Sequence, residues 1–136
     1  MKSKAVLACA DVTKILDAAE QFATERQWAV SVAVVDDGGH LLGMRRLDGA
    51  APMTAYMGPA KANTAALGRR ESAAFETMIN GGRQAFLSAP QLQGMLEGGV
   101  PIVVDGQVVG AVGVSGVKSS EDVEIAQAGI AALGLS

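Results

Sequence analysis

Val100-Pro101-Ile102-Val103-Val104-Asp105-Gly106-Gln107-Val108-Val109-Gly110-Ala111-Val112-Gly113-Val114 places two runs rich in β-branched residues on either side of an Asp-Gly pair. Asp and Gly accept the positive φ that both corners of a two-residue turn demand, so the segment predicts a tight β-hairpin whose strands lie centrally in a sheet. An earlier stretch has the same form. Trp28 to Val35 is rich in β-branched residues, Asp36-Asp37-Gly38-Gly39 supplies a turn, and His40 to Met44 is apolar again.

Helical patterns surround the two hairpins. Val12, Ile15, Leu16, Ala19, Phe22 and Ala23 recur at a period of 3.6, with Lys14, Asp17, Glu20, Gln21 and Glu25 on the other side. Thr54 to Leu67 mixes Ala, Met and Leu, and Pro59 predicts a kink or a helix start inside it. A shorter helix is expected over Ser72 to Ile79. Gly81-Gly82, Pro90 and Gly98-Gly99 then break the stretch from Asn80 to Gly99 into loop. Ser119-x-x-Asp122 has the form of a capping box opening a last helix, with Val123, Ala126, Ile130 and Leu133 as its buried stripe. The order helix, hairpin, helices, hairpin, helix predicts an α+β fold, profilin-like or PAS-like, in which helices pack on one antiparallel sheet.

The chain has 136 residues, room for one domain over 1–136 and no second. Apolar residues make up 49% and aromatics 4%, so Ala, Val, Leu and Ile must build the core and a large ligand would meet aliphatic walls. Eleven basic and 14 acidic side chains leave a formal charge of -3 with no basic cluster, which argues against a nucleic-acid partner. No apolar run approaches the roughly 20 residues that span a bilayer. Cys9 is the single cysteine, so one chain can form no disulfide and no thiolate cage, and no metal site is expected. Asp11 and Lys14 interrupt the first apolar run too early for a secretion signal, and the expected location is the cytoplasm.

Gly110-x-x-Gly113-x-x-Gly116 has the wrong spacing and context for a dinucleotide fingerprint; glycines in a strand fit close approach by another backbone or a ligand. His40 is the single imidazole, placed just past a turn, where it either is a structural residue or offers a ligand to iron. Arg45, Arg46 and Lys61 stand near predicted turns and can pair with carboxylates if they converge, or remain solvated surface charges.

Six groups of residues carry a resemblance. Val34-Val35-Asp36-Asp37-Gly38-Gly39-His40-Leu41, Arg46-Leu47-Asp48-Gly49-Ala50 and Lys61-Ala62-Asn63-Thr64-Ala65 form the first half of an ordered pattern. Gly98-Gly99-Val100-Pro101-Ile102, Gly110 to Gly116 and Glu121-Asp122-x-x-Ile125-Ala126 complete it. Together they resemble the GlcG/HbpS family over nearly the whole chain. That resemblance, which extends to the C-terminal domain of PduO-type adenosyltransferases, implies a profilin-like fold, a homo-oligomer and haem binding, with haem degradation or redox sensing in some relatives. The shared motifs carry no axial ligand.

Two functions follow as expectations. In the first, aliphatic side chains hold a haem or other tetrapyrrole, Arg46 or Lys61 meets a propionate, and His40, a methionine or the Thr64 hydroxyl ligates iron. In the second, a small enzyme of tautomerase, hydrolase or deaminase type acts on an oxo- or hydroxy-carboxylate. There Arg46 clamps the carboxylate, Lys61 or Asp36 moves a proton, and backbone amides of Gly113 to Gly116 stabilise an oxyanion.

Overall fold

A computed structural model describes residues 1–135. Its elements are α1 (Cys9–Glu25), β1 (Ser31–Asp36), β2 (Leu41–Arg46), α2 (Thr54–Gly68), α3 (Ala73–Asn80), a 3-10 turn (Gln84–Ser88), β3 (Gly99–Val104), β4 (Gln107–Ser115) and α4 (Ser119–Ala131). The strands form one antiparallel sheet in the order β2-β1-β4-β3. Both hairpins are therefore present, joined side by side through β1 and β4. Of the pair expected at the centre, β4 is central and β3 is an edge, because the earlier hairpin pairs with β4 through β1. Asp105 and Gly106 both adopt positive φ, 51° and 74°, which is the backbone of a type I′ turn.

The two faces of the sheet are built from side chains of different size. Val32, Val34, Ile102, Val112 and Val114 pack under α1 and α4 together with Val12, Ile15, Leu16, Ala19, Ala23, Ile125 and Ala126. The stripe read on α1 is thus its buried face, with Phe22 partly buried. On the other face Val35 and Ala111 meet Ala62, Ala65 and Ala66 of α2. Alanine and glycine bring α2 almost onto the strands. A Cβ at Gly113 would collide with the Gly58 carbonyl oxygen and the Ala62 amide nitrogen, so glycine in this strand serves backbone approach. No helix start falls at Pro59, which lies inside the continuous α2.

The last helix is capped one residue earlier than predicted. Lys118 is the N-cap, and its N–H donates to the Glu121 carboxylate at 3.2 Å. Asp122 therefore is not the capping acid. Its fully buried face is Asp122, Ile125, Ala126 and Gly129, while Ile130 and Leu133 lie partly buried at the margin of the core.

Gly113→Ala is expected to destabilise the protein by about 3 kcal/mol or more, since backbone rather than a flexible side chain must give way. Urea unfolding should show a lower midpoint with an unchanged slope.

Candidate functional site

Lys61 sits on α2, yet its side chain does not stay on the α2 side of the molecule. Gly98 and Gly99 leave a gap at the start of β3, and the side chain passes through it: a Cβ at Gly98 would lie 2.7 Å from Lys61 Cδ and 2.8 Å from Nζ. At the end of this path Nζ donates to the Val114 carbonyl at 3.0 Å and to Asp122 Oδ2 at 3.1 Å. The paired side chains are 5% and 2% exposed. The other Asp122 oxygen accepts the Val117 N–H at 3.2 Å. Burial pushes the Asp122 carboxyl up from its ordinary range, and the attraction and hydrogen bond of Lys61 offset that only in part. Lys61 is therefore no surface clamp, and its ammonium is held by Val114 and Asp122 inside the protein.

Thr64, one turn further along α2, is fully buried and accepts the Gly94 N–H at 3.1 Å. Its hydroxyl holds a loop and does not face a ligand cavity. Ser72, buried at the start of α3, donates to the Leu96 carbonyl at 2.5 Å and accepts the Gly99 N–H at 2.8 Å.

The turn between β1 and β2 presents the opposite case. The His40 side chain is 81% exposed. Asp36 Oδ1 accepts the backbone N–H groups of Gly38 and His40, both at 2.9 Å, and lies 3.1 Å from His40 Nδ1. Desolvation would raise the Asp36 carboxyl, but the amide donors of His40 and Gly38 and the nearby imidazole outweigh it and hold the group below its ordinary range. An ionised carboxylate can only accept, so Nδ1 carries the proton in this contact, which in the neutral ring leaves the lone pair on Nε2. Two cations flank the same turn. Arg69 Nη1 donates to the Asp37 carbonyl, and Lys4 Nζ lies 2.7 Å from Asp37 Oδ2.

Arg46 stands at the far end of β2. It pairs with Ser31, five residues before Asp36 along β1, a separation of roughly 16 Å at strand rise. Its Nε donates to the Ala50 carbonyl at 3.2 Å. Arg46, Asp36 and Lys61 are thus at two ends of a hairpin and inside the core, and they do not converge on one pocket as the small-acid chemistry required. Near Arg46 an open cleft of about 410 Å³ is walled by Glu20, Thr24, Trp28, Leu47 and Asp48.

A family model described as "Haem degrading protein HbpS-like" matches residues 7–131. The chain belongs to the HbpS-like family. Among its relatives, Protein GlcG of Escherichia coli is 54% identical over 115 residues, covering 85% of each chain. A solved double mutant of Streptomyces reticuli HbpS superposes with a TM-score of 0.89 at 30% identity, over 98% of this chain and 91% of that one. The structure titled "PduOC:Heme Complex" superposes with a TM-score of 0.86 at 26% identity, over 97% of this chain and 98% of that one. The HbpS-like fold is therefore the four-stranded sheet and the helices described above.

Sequence reasoning missed Asp122 as the partner of Lys61 and missed Arg69 and Lys4 beside the His40 turn. The Gly98-Gly99 pair carried a signal for the first, since paired glycines mark a place where another chain segment passes closely. No local pattern linked Lys4 or Arg69 to a turn 30 residues away.

Lys61→Met should cost about 3–5 kcal/mol in urea unfolding by stranding the Asp122 charge, whereas His40→Ala and Arg46→Ala at the surface should stay within about 0.5 kcal/mol. Asp36 also gives an acid signature. Its lowered native pKa stabilises the fold above the ordinary carboxylate value near 3.9, and this increment disappears as the pH falls through the native value. The stability gap between wild type and Asp36→Asn, measured by urea unfolding against pH, should be present at neutrality and close in acid.

Proposed function

We propose that the protein binds haem at the surface around the β1–β2 turn, with His40 as the protein ligand to iron. The observation that carries this reading is the Asp36–His40 pair. A carboxylate hydrogen-bonded to one imidazole nitrogen fixes the tautomer and aims the other nitrogen outward, the outer-shell arrangement that metal-bound histidines use. Leu41 and Leu42 follow at once on the edge strand and are exposed, giving the aliphatic surface that a macrocycle needs. Arg69 and Lys4 are the cations placed to meet propionates; Arg46 is too far along β2 to share a macrocycle with His40. Membership of the HbpS-like family and the likeness to the PduOC:Heme complex support the same cofactor.

The protein acts as a homo-oligomer in the cytoplasm in this reading. Support for assembly comes from the outward side of α2 and its N-cap, where Met53, Tyr56 and Leu67 recur at helical spacing and are exposed, Tyr56 to 80%. No helix of the described residues is long and apolar enough to cross a membrane.

Haem titrated into the purified protein should produce a saturable, stoichiometric Soret band. His40→Ala should shift the band and weaken binding at least about ten-fold, and Asp36→Asn should weaken it by about 10-fold or more through loss of the orienting bond. A spectrum unchanged in His40→Ala rules out the proposed ligand, and absence of saturable binding rules out haem.

A further inference from the structure

Between Gly81 and Glu97 a single residue, Gly94, is buried. The segment holds only the 3-10 turn, and Leu87 and Leu96 point 68% and 45% of their surface to solvent. A crevice of about 210 Å³ remains beneath it, walled by Ile79, Leu87, Met95 and Leu96 with Glu76, Asn80 and Gln93. Few buried apolar contacts and a poorly filled underside are the marks of a segment that opens locally, well below the free energy of global unfolding.

Phe86 packs edge-on against the buried Phe75, the Val114 N–H donates to the Gly98 carbonyl at 3.0 Å, and the other fastenings to the helices are side-chain hydroxyls. Thr64 Oγ1 holds the Gly94 amide, and Ser72 Oγ holds the Leu96 carbonyl and the Gly99 amide. Behind those bonds the segment rests directly on Lys61. A Cβ at Gly94 would strike the Ala60 carbonyl carbon and the Lys61 nitrogen, and one at Gly98 would strike the Lys61 side chain. Glycines with positive φ stand at both ends, Gly82 at 112° and Gly98 at 138°, where large changes of φ and ψ meet little steric resistance.

We infer that residues 82–98 form a hinged strap, latched by Thr64 and Ser72, whose opening uncovers the buried Lys61–Asp122 pair. With the strap closed, Lys61 Nζ is sealed by Gly98 and bound to Asp122 and the Val114 carbonyl. With it open, one ammonium, one carboxylate and the two latch hydroxyls face solvent together. This is a concealed polar site that begins at the middle of α2, with Lys61, and is separate from the exposed Met53 and Tyr56. It is independent of the haem reading, since His40, Arg69 and Lys4 take no part in the latch.

The test pairs amide hydrogen exchange with acetylation of Lys61 by an amine-reactive acetyl ester, read by mass spectrometry, in the full chain. The Gly94 amide should exchange at least about 100-fold faster than the Val112 amide of β4, and low urea should leave its rate unchanged, as local opening requires. Acetylation of Lys61 should show the same insensitivity to urea. Ser72→Ala and Thr64→Val should each raise both rates about ten-fold, the effect of one lost hydrogen bond, while the Val112 rate changes less. Either variant suffices if the other does not fold. The inference is overturned if Gly94 exchange and Lys61 acetylation follow the urea dependence of Val112. Exchange at Gly94 without acetylation of Lys61 overturns it equally, because the strap would then open without uncovering the ammonium.

Discussion

The buried ion pair between Lys61 and Asp122 joins the helices on the two faces of the sheet. α2 lies on one face and α4 on the other, and the lysine reaches between them past the first residues of β3. Withdrawing both charges from water costs about as much as their attraction returns, so the pair is a poor source of net stability. Its effect is positional. Either charge left alone would be stranded in the core, so α2, the start of β3 and the first turn of α4 have to be assembled together.

The unequal thickness of the two layers follows from the same requirement. A lysine stem spans the sheet end only if α2 rides close to the strands, and Gly58, Gly113 and the alanines of α2 provide that closeness. The Val, Leu and Ile layer under α1 and α4 supplies most of the apolar burial. Among the described residues the helices pack directly on both faces of the sheet. A large ligand would therefore have to be met at the surface, where the His40 turn, the edge strand β2 and the outward side of α2 are exposed.

Much of the fold was legible because it rests on local signals. Asp105-Gly106 names its turn, the α1 stripe names its buried face, and alternating hairpins and helices name the α+β class. The centrality of β3 was misread because strand order depends on which hairpin pairs with which, a contact between residues some 80 positions apart. The site was less legible for a related reason. A lysine and a threonine on one helix look like surface groups in sequence, since those residue types are mostly exposed. Their burial depends on glycines 30 or more residues away and, for Lys61, on an aspartate beyond them. His40 and Asp36 lie four residues apart, but their hydrogen bond depends on the backbone of the turn between them.

A double-mutant cycle on Lys61→Met and Asp122→Leu, followed by urea unfolding at neutral pH, tests the cross-sheet pair most directly. If the two groups hold each other as described, the double variant will be less destabilised than the sum of the single ones by at least about 2 kcal/mol. Single effects that add within about 0.5 kcal/mol would contradict it, because they would mean that neither charge depends on the other.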